Sequence, residues 1–357
     1  MRTGIANLPL HYGSCPAWLF ERMKKLAYAI IEAMVMEFSP EEVLIRLSDP
    51  YWFQSFACIL GFDWHSSGSS TTVCGAIKEA LKGKEKDLGI FVAGGKGKTS
   101  RKTPLEIEEY GEKFSLEFAS KLIYTSKIVA KIDNSCLQDG FQIYHHTFIF
   151  TKNGHWAVIQ QGMNEEIQMA RRYHWLSFKT SNFVNEPHQA ICCDFKGKPL
   201  NLVASGSEKT REISTQIVKA PFSVLLKDLK KIRVLNMPKY HWIPLDPKTE
   251  KRIEKVLYQA HERQPKNFEE LVSYQGIGPK TLRALALISE LIYGAKPSFH
   301  DPVRYSFAHG GKDGYPYPID KKQYDLSISI LERAIRKAKI KNSEKSKALK
   351  IVHHQKD

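Results

Sequence analysis

The chain has 357 residues, 42% of them hydrophobic, which is enough to bury a large core and to divide into two domains. Lys and Arg outnumber Asp and Glu by 53 to 38, a net charge of +15, so nucleic acid is the first partner to consider, with a lysine-rich surface of ion pairs as the alternative. Six cysteines, at 15, 58, 74, 136, 192 and 193, form no C-x-x-C pair and point away from a zinc ribbon or an iron–sulfur cluster, while Glu32 and Glu37 break the apolar stretch 26–38, so no membrane span or signal peptide is expected.

Trp18, Leu19, Met23, Leu26, Ala27, Ile30 and Met34 recur at helical spacing after Pro16 and predict an amphipathic helix. A second helix is expected from Pro40, with Glu41 and Glu42 in its first turn, a third over 51–60 and a fourth over 72–81. Between the last two, "GFDWHSSGSSTT" sets Asp63 and His65 in a Gly- and Ser-rich loop. Asp with His there could bind a divalent metal, magnesium or manganese, or relay a proton. Turn and N-cap duties are the structural alternative.

"FVAGGKGKTS" (91–100) ends in the last three letters of a phosphate-binding P-loop, but Val92 stands where such a loop needs its first glycine, so no nucleotide is expected. The segment reads instead as a pliable turn made by Gly94, Gly95 and Gly97. It carries Lys96, Lys98, Arg101 and Lys102 without an acid among them, a composition suited to a polyanion's phosphates or to plain solvation. One long helix should follow, from 104 to about 132.

The pattern then changes. Residues 141–151 and 155–161 are rich in aromatic and β-branched side chains around Asn153-Gly154, which predicts a β-hairpin with positive φ in the dipeptide. His145 and His146, adjacent in a strand, should point to opposite faces, and His155 could share a face with one of them. "KPLNLVAS" (198–205) is a weaker strand, and Pro238, Pro244 and Pro247 mark a linker. Residues 333–357 hold nine Lys or Arg against Glu344 and Asp357, a run expected to be solvated.

"NFEELVSYQGIGPKTLRALALISELIYG" (267–294) resembles a helix-hairpin-helix motif. Asn267 can cap the first helix with Glu270 returning the bond; Gly276-Ile277-Gly278 makes the hairpin; Pro279 suits the first position of the second helix. Exposed backbone N–H groups at that helix start, with Lys280 and Thr281 beside them, would hold one DNA phosphate without reading bases. In DNA glycosylases built on such a hairpin, a Lys and a later Asp are catalytic. Lys280 and Asp301 stand in matching places, followed by Arg304, although no cysteine follows Cys193 to build the iron–sulfur loop of many members. "SFHDPVRYSFAHGGKDGYPYPID" is a second site candidate, with His300, Asp301, His309, Lys312 and Asp313 in a Gly-rich stretch.

The stretches "MRTGIANLPLHYGSCPAWLFERM", "GFDWHSSGSSTT", "GIFVAGGKGKTSRKTP" and "DPVRYSFAHGGKDGYP" resemble a prokaryotic, largely archaeal family catalogued as a domain of unknown function. That resemblance implies a cytoplasmic protein and assigns no catalytic residue. The expected fold is a mainly helical α+β protein. An N-terminal α+β domain with a β-hairpin or small antiparallel sheet (1–235) and a linker (236–247) precede a helix-hairpin-helix domain (248–340) and a basic tail (341–357). The expected function is sequence-independent DNA binding in a DNA-processing enzyme of the metal-dependent nuclease type. Its catalytic candidates are Asp63, His65 and Asp301, with Asp63 and His65 as metal ligands. Gly276, Ile277, Gly278, Lys280, Thr281, Lys96, Lys98, Arg101 and Lys102 would meet the DNA backbone. A non-catalytic architectural protein and a glycosylase or lyase using Lys280 and Asp301 are the alternatives.

Overall fold

A computed structural model describes residues 8, 10, 15–62, 66–235, 237, 241–244, 246–303 and 321–353. Helix α1 (Ala17–Glu37) follows Pro16 and buries Met23, Ala27, Ile30 and Met34 of the expected stripe, leaving Trp18 62% exposed. Helices α2 (Pro40–Ser48) and α3 (Pro50–Ile59) each open on proline, where no N–H is needed, and are capped by Ser39 and Asp49 side chains. Helix α4 (Gly68–Leu81) begins at Gly68 and not at Thr72.

A short α5 (Glu85–Leu88) ends at Gly89, whose φ of 66° turns the chain into strand β1 (Ile90–Lys96). A 3-10 turn (Gly97–Lys102) leads to α6 (Thr103–Phe114) and α7 (Ala119–Ser135). The single long helix expected here is two, because Ser115 adopts a left-handed φ of 53° and closes the first. Strands β2 (Leu137–Gln138), β3 (Gln142–Thr151), β4 (Trp156–Asn164), β5 (Met169–Leu176), β6 (Ala190–Cys192) and β7 (Leu200–Asn201) follow. The expected hairpin is β3–β4. Only Gly154 in its turn has positive φ, 81°, because the connection spans 152–155 and is not a two-residue loop. The remaining helices are α8 (Glu208–Lys219), α9 (Phe222–Val234), α10 (Pro247–Arg263), α11 (Phe268–Ser273), α12 (Pro279–Leu291), α13 (Lys321–Lys337) and α14 (Asn342–His353).

The architecture is a mainly helical α+β fold around a five-stranded antiparallel sheet ordered β1-β3-β4-β5-β6. Alternate side chains leave opposite faces of a strand, and here both faces are covered. Phe91, Phe148, Val158, Tyr173 and Trp175 enter one apolar cluster that continues through α7 to the buried faces of α10, α11 and α12. Val92, Ile149, Ala157 and Ile159 enter another, built by α1 to α4 and closed by Ile328, Leu331 and Ile335 of α13 and Ala348 of α14. The basic C-terminal run, expected to be solvated, is helical as far as residue 353; it keeps most of its Lys and Arg side chains exposed while Ala334, Ile335 and Ala348 pack into this cluster. Its charges are tied back to α1: Glu37 pairs with Lys337 and, at 3.7 Å, with Arg333, and Glu32 with Lys339 at 3.8 Å.

Candidate nucleic-acid interface

The turn between α11 and α12 is built by local rules. The Asn267 side chain accepts from the Glu270 N–H at 2.9 Å, and Glu270 returns a bond to the N–H of Lys266 at 2.7 Å, one residue ahead of the cap. Gly276 is exposed with φ of 88°, and a Cβ there would sit 3.0 Å from a methyl of Val256. Ile277, 1% exposed, anchors the turn in the core. Gly278 caps α12 in extended backbone with Pro279 next, and the first helical bond runs from the Leu282 N–H to the Gly278 carbonyl at 3.0 Å. Among the described residues, the N–H groups of Gly278 and Lys280 have no acceptor, and the Lys280 side chain is exposed beside them. Thr281 is buried.

Long-range contacts hold this turn on α7 and β2. Lys131 donates to the Tyr274 carbonyl, and burial pushes its ammonium down to about 8. Gln138 donates to the Pro279 carbonyl at 2.9 Å and accepts from the Arg283 Nε at 2.8 Å. Tyr124 donates to Glu269 at 2.8 Å.

The basic turn after β1 is the second element. Gly94 and Gly95 belong to the strand, opposite Thr147 and His146, so of the three glycines expected in the turn only Gly97, φ 61°, lies there. Gly94 has a different reason to be glycine: with φ of 89°, a Cβ would lie 2.2 Å from the His146 carbonyl and 2.4 Å from the Thr103 hydroxyl. Glu106 accepts from the Gly94 N–H at 2.7 Å and pairs with Lys78 at 2.6 Å, which fixes the strand end. Lys96, Lys98, Arg101 and Lys102 are all exposed. Lys96 lies opposite His145 near the start of β3, and β2, which precedes β3, carries the Gln138 clamp on Pro279. Both basic elements thus occupy the end of the sheet where β3 begins.

From Lys96 a polar row crosses the sheet in register, His145 to Gln161 to Arg172, which the sequence pattern does not predict. The Arg172 guanidinium is buried and donates to Ser70 Oγ at 2.6 Å, Ser69 Oγ at 2.7 Å and Gln54 Oε1 at 3.1 Å; burial lowers its pKa to about 10. Gln161 donates to the Ser67 carbonyl at 2.8 Å and to Tyr144. Burial holds His145 neutral, with a pKa of about 3. The row abuts the start of α4, directly after the loop of Asp63 and His65, which lie outside the described residues. Among the described residues, no group of three or more His, Cys, Asp or Glu could hold a metal ion.

His146 faces the other side, as expected, bonded to Ser126 at 2.9 Å and Gln160 at 2.7 Å, with burial pulling its pKa to about 4. His155 stacks on Phe178 at 4.3 Å and joins neither.

Asp301 is buried in a two-pronged ion pair with Arg171, at 3.1 and 2.9 Å, and also accepts from the N–H groups of Gly197 at 2.8 Å and Val303 at 3.1 Å. Asp139 shares Arg171 at 2.9 Å and accepts from Tyr173 at 2.7 Å; burial raises the Asp139 pKa against the pull of the guanidinium. Its bonds commit the Asp301 carboxylate to pinning the segment before 304 onto β5, while Lys280 stands exposed on the hairpin. Arg304, His309, Lys312 and Asp313 lie outside the described residues.

A family model described as "Protein of unknown function (DUF763)" matches residues 4–319. No curated protein and no solved structure matches the chain. No helix among the described residues is long and apolar enough to cross a membrane.

Proposed function

The chain belongs to this family of proteins of unknown function, and from its own residues we propose that it binds DNA through the sugar–phosphate backbone, without regard to sequence. The observation that carries the reading is the start of α12, where, among the described residues, the N–H groups of Gly278 and Lys280 lack acceptors and the Lys280 side chain is exposed. A phosphate oxygen satisfies such N–H groups, the positive end of the helix favours its charge, and no base edge is involved. The basic turn of Lys96, Lys98, Arg101 and Lys102, at the same end of the sheet, supplies a second contact to the same backbone. The helix-hairpin-helix reading of 267–294 and a cytoplasmic location belong to this proposal.

Strand cleavage is the proposed chemistry. Asp63 and His65 would hold a magnesium or manganese ion that polarises a phosphoryl oxygen and activates a water. What supports this is their place immediately ahead of Ser66–Ser70, whose Ser69 and Ser70 hydroxyls meet the buried Arg172. The lyase reading loses support, because the Asp301 carboxylate is taken up by Arg171.

The test is fluorescence anisotropy with labelled duplexes of unrelated sequence over a range of salt, followed by incubation with magnesium, manganese or a chelator. Similar affinities that fall steeply with salt, and cleavage that stops in chelator and in Asp63→Asn, are expected. Absence of binding at low salt removes the reading. Binding without cleavage leaves the architectural protein.

A further inference from the structure

On the opposite layer, a cleft of about 960 Å3 runs between α1, the end of α3 and α14. Its floor is apolar, formed by Leu19, Leu26, Ile59, Leu60 and Ala348. Its rims are basic: Arg22 and Lys25 of α1 stand on one side, Lys341 and Lys347 on the other, all four exposed. Of the carboxylates along it, Glu32 is already engaged by Tyr28 at 3.0 Å and Lys339 at 3.8 Å, which leaves Glu344 alone against the four cations.

Length and chemistry narrow the occupant. The α1 positions that line the cleft run from Leu19 to Glu32, a stretch of about 20 Å at the helical rise per residue. That is long for a compact metabolite and matches three to four turns of a helix. Duplex DNA would meet the cations but gain nothing from a floor of leucine and isoleucine. An amphipathic helix uses both, placing its apolar stripe on the floor and its carboxylates against the rims.

We propose that this cleft receives an amphipathic, acidic helix of a partner protein. The site is separate from the hairpin and does not depend on the DNA reading. A labelled peptide of about four turns, with leucines at i, i+3, i+4 and i+7 and glutamates elsewhere, serves as the probe on the full chain. Two control peptides carry lysine for glutamate or serine for leucine. Saturable binding of the acidic peptide is expected, with both controls weaker by about tenfold or more. The variant Lys25→Glu with Lys347→Glu should lose about as much while keeping its melting temperature and its affinity for duplex DNA.

No saturable binding of the acidic peptide overturns the proposal, as does equal binding of the serine peptide, which reduces the effect to charge. Loss of DNA binding in step with peptide binding makes the cleft part of a nucleic-acid surface. Self-association of the chain that the same variant abolishes makes the occupant a second copy. The peptide comparison on the unaltered chain decides even where the variant folds poorly.

Discussion

Arg171 and Arg172 are neighbours on β5, both buried, and they have opposite solutions to the same difficulty. Arg171 is neutralised by Asp139 and Asp301, whereas Arg172 is ringed by hydroxyl and amide oxygens of Ser69, Ser70 and Gln54. Exchanging Asp301 for Asn removes the charged acceptor of a two-pronged bond, while Asp139 stays opposite Arg171. Asp301→Asn is therefore expected to cost about 2 kcal/mol of stability, read by urea denaturation, whatever it does to any activity. An unchanged midpoint would mean that the pair contributes nothing. The buried histidines add a pH term: His145 and His146 have folded pKa values of about 3 and 4, below the unfolded value. The unfolded chain then binds more protons as pH falls from about 6.5, so stability should be full above that pH and decline towards pH 4. His146→Gln should flatten the decline in melting temperature over that window. None of these partnerships is legible in the sequence. "MARRYHWL" reads as a polar stretch because the carboxylates, hydroxyls and amide that allow its burial come from positions 54, 69, 70, 139 and 301, and a sequence pattern does not reveal which distant groups will meet.

At the scale of the element, what can be read is what is local. The cap at Asn267, the Gly-Ile-Gly turn and the proline opening α12 are each enforced by neighbours a few residues away, and the sequence predicts all three, whereas Ile277, expected at the DNA backbone, is buried. It does not predict the clamp of Lys131 and Gln138, which joins α7 and β2 to a turn about 140 positions later. The two glycines of the turn now separate into different tests. Gly278 has φ of −136° and, its chain neighbours aside, no atom closer than 3.8 Å to an added Cβ, so Gly278→Val should fold and lose no more than the ~1 kcal/mol by which valine is the poorer N-cap. It should nevertheless weaken DNA binding more than Lys280→Ala, which removes one exposed charge and leaves the backbone N–H groups open. Gly276→Val meets Val256 and a strained φ, and should lose stability as well. If Gly278→Val binds duplex as the unaltered chain does, phosphate is held elsewhere. In the basic turn, Lys96→Ala with Lys98→Ala should reduce the slope of log affinity against log salt by about 2. ATP should leave the melting temperature unchanged, and a rise would return the segment to nucleotide binding.

The whole molecule is three layers with the sheet in the middle, and the two outer layers carry the two proposed surfaces. The hairpin belongs to one cluster, and α1 with α14 to the other. The sequence conveys the mainly helical α+β class and most of the helices, because amphipathic spacing is a short-range property. It does not convey that α13 and α14 return to α1, because a lysine-rich run gives little sign of the apolar stripe of Ile328, Leu331 and Ile335 beneath it. Deleting 321–357 should expose that stripe's partners on α1, lower the melting temperature and cause aggregation on heating, measured by light scattering. A truncated chain as stable and as monodisperse as the full one would show that the return contributes no packing.

That return also sets an order of events. Glu37 closes on Lys337, 300 positions away, and Ala29 and Ala33 close on Ala338. On a translating ribosome α1 emerges long before its last neighbour has been polymerised, so its outer flank must wait bare through most of synthesis. The hairpin side draws its partners from a shorter span and can consolidate earlier. Closing so large a loop adds little free energy, because the entropic cost grows only with the logarithm of length, but it delays the final step until α13 and α14 have been made. Stalling translation before α13 should therefore leave a nascent chain with one half assembled and an apolar flank accessible to chaperones.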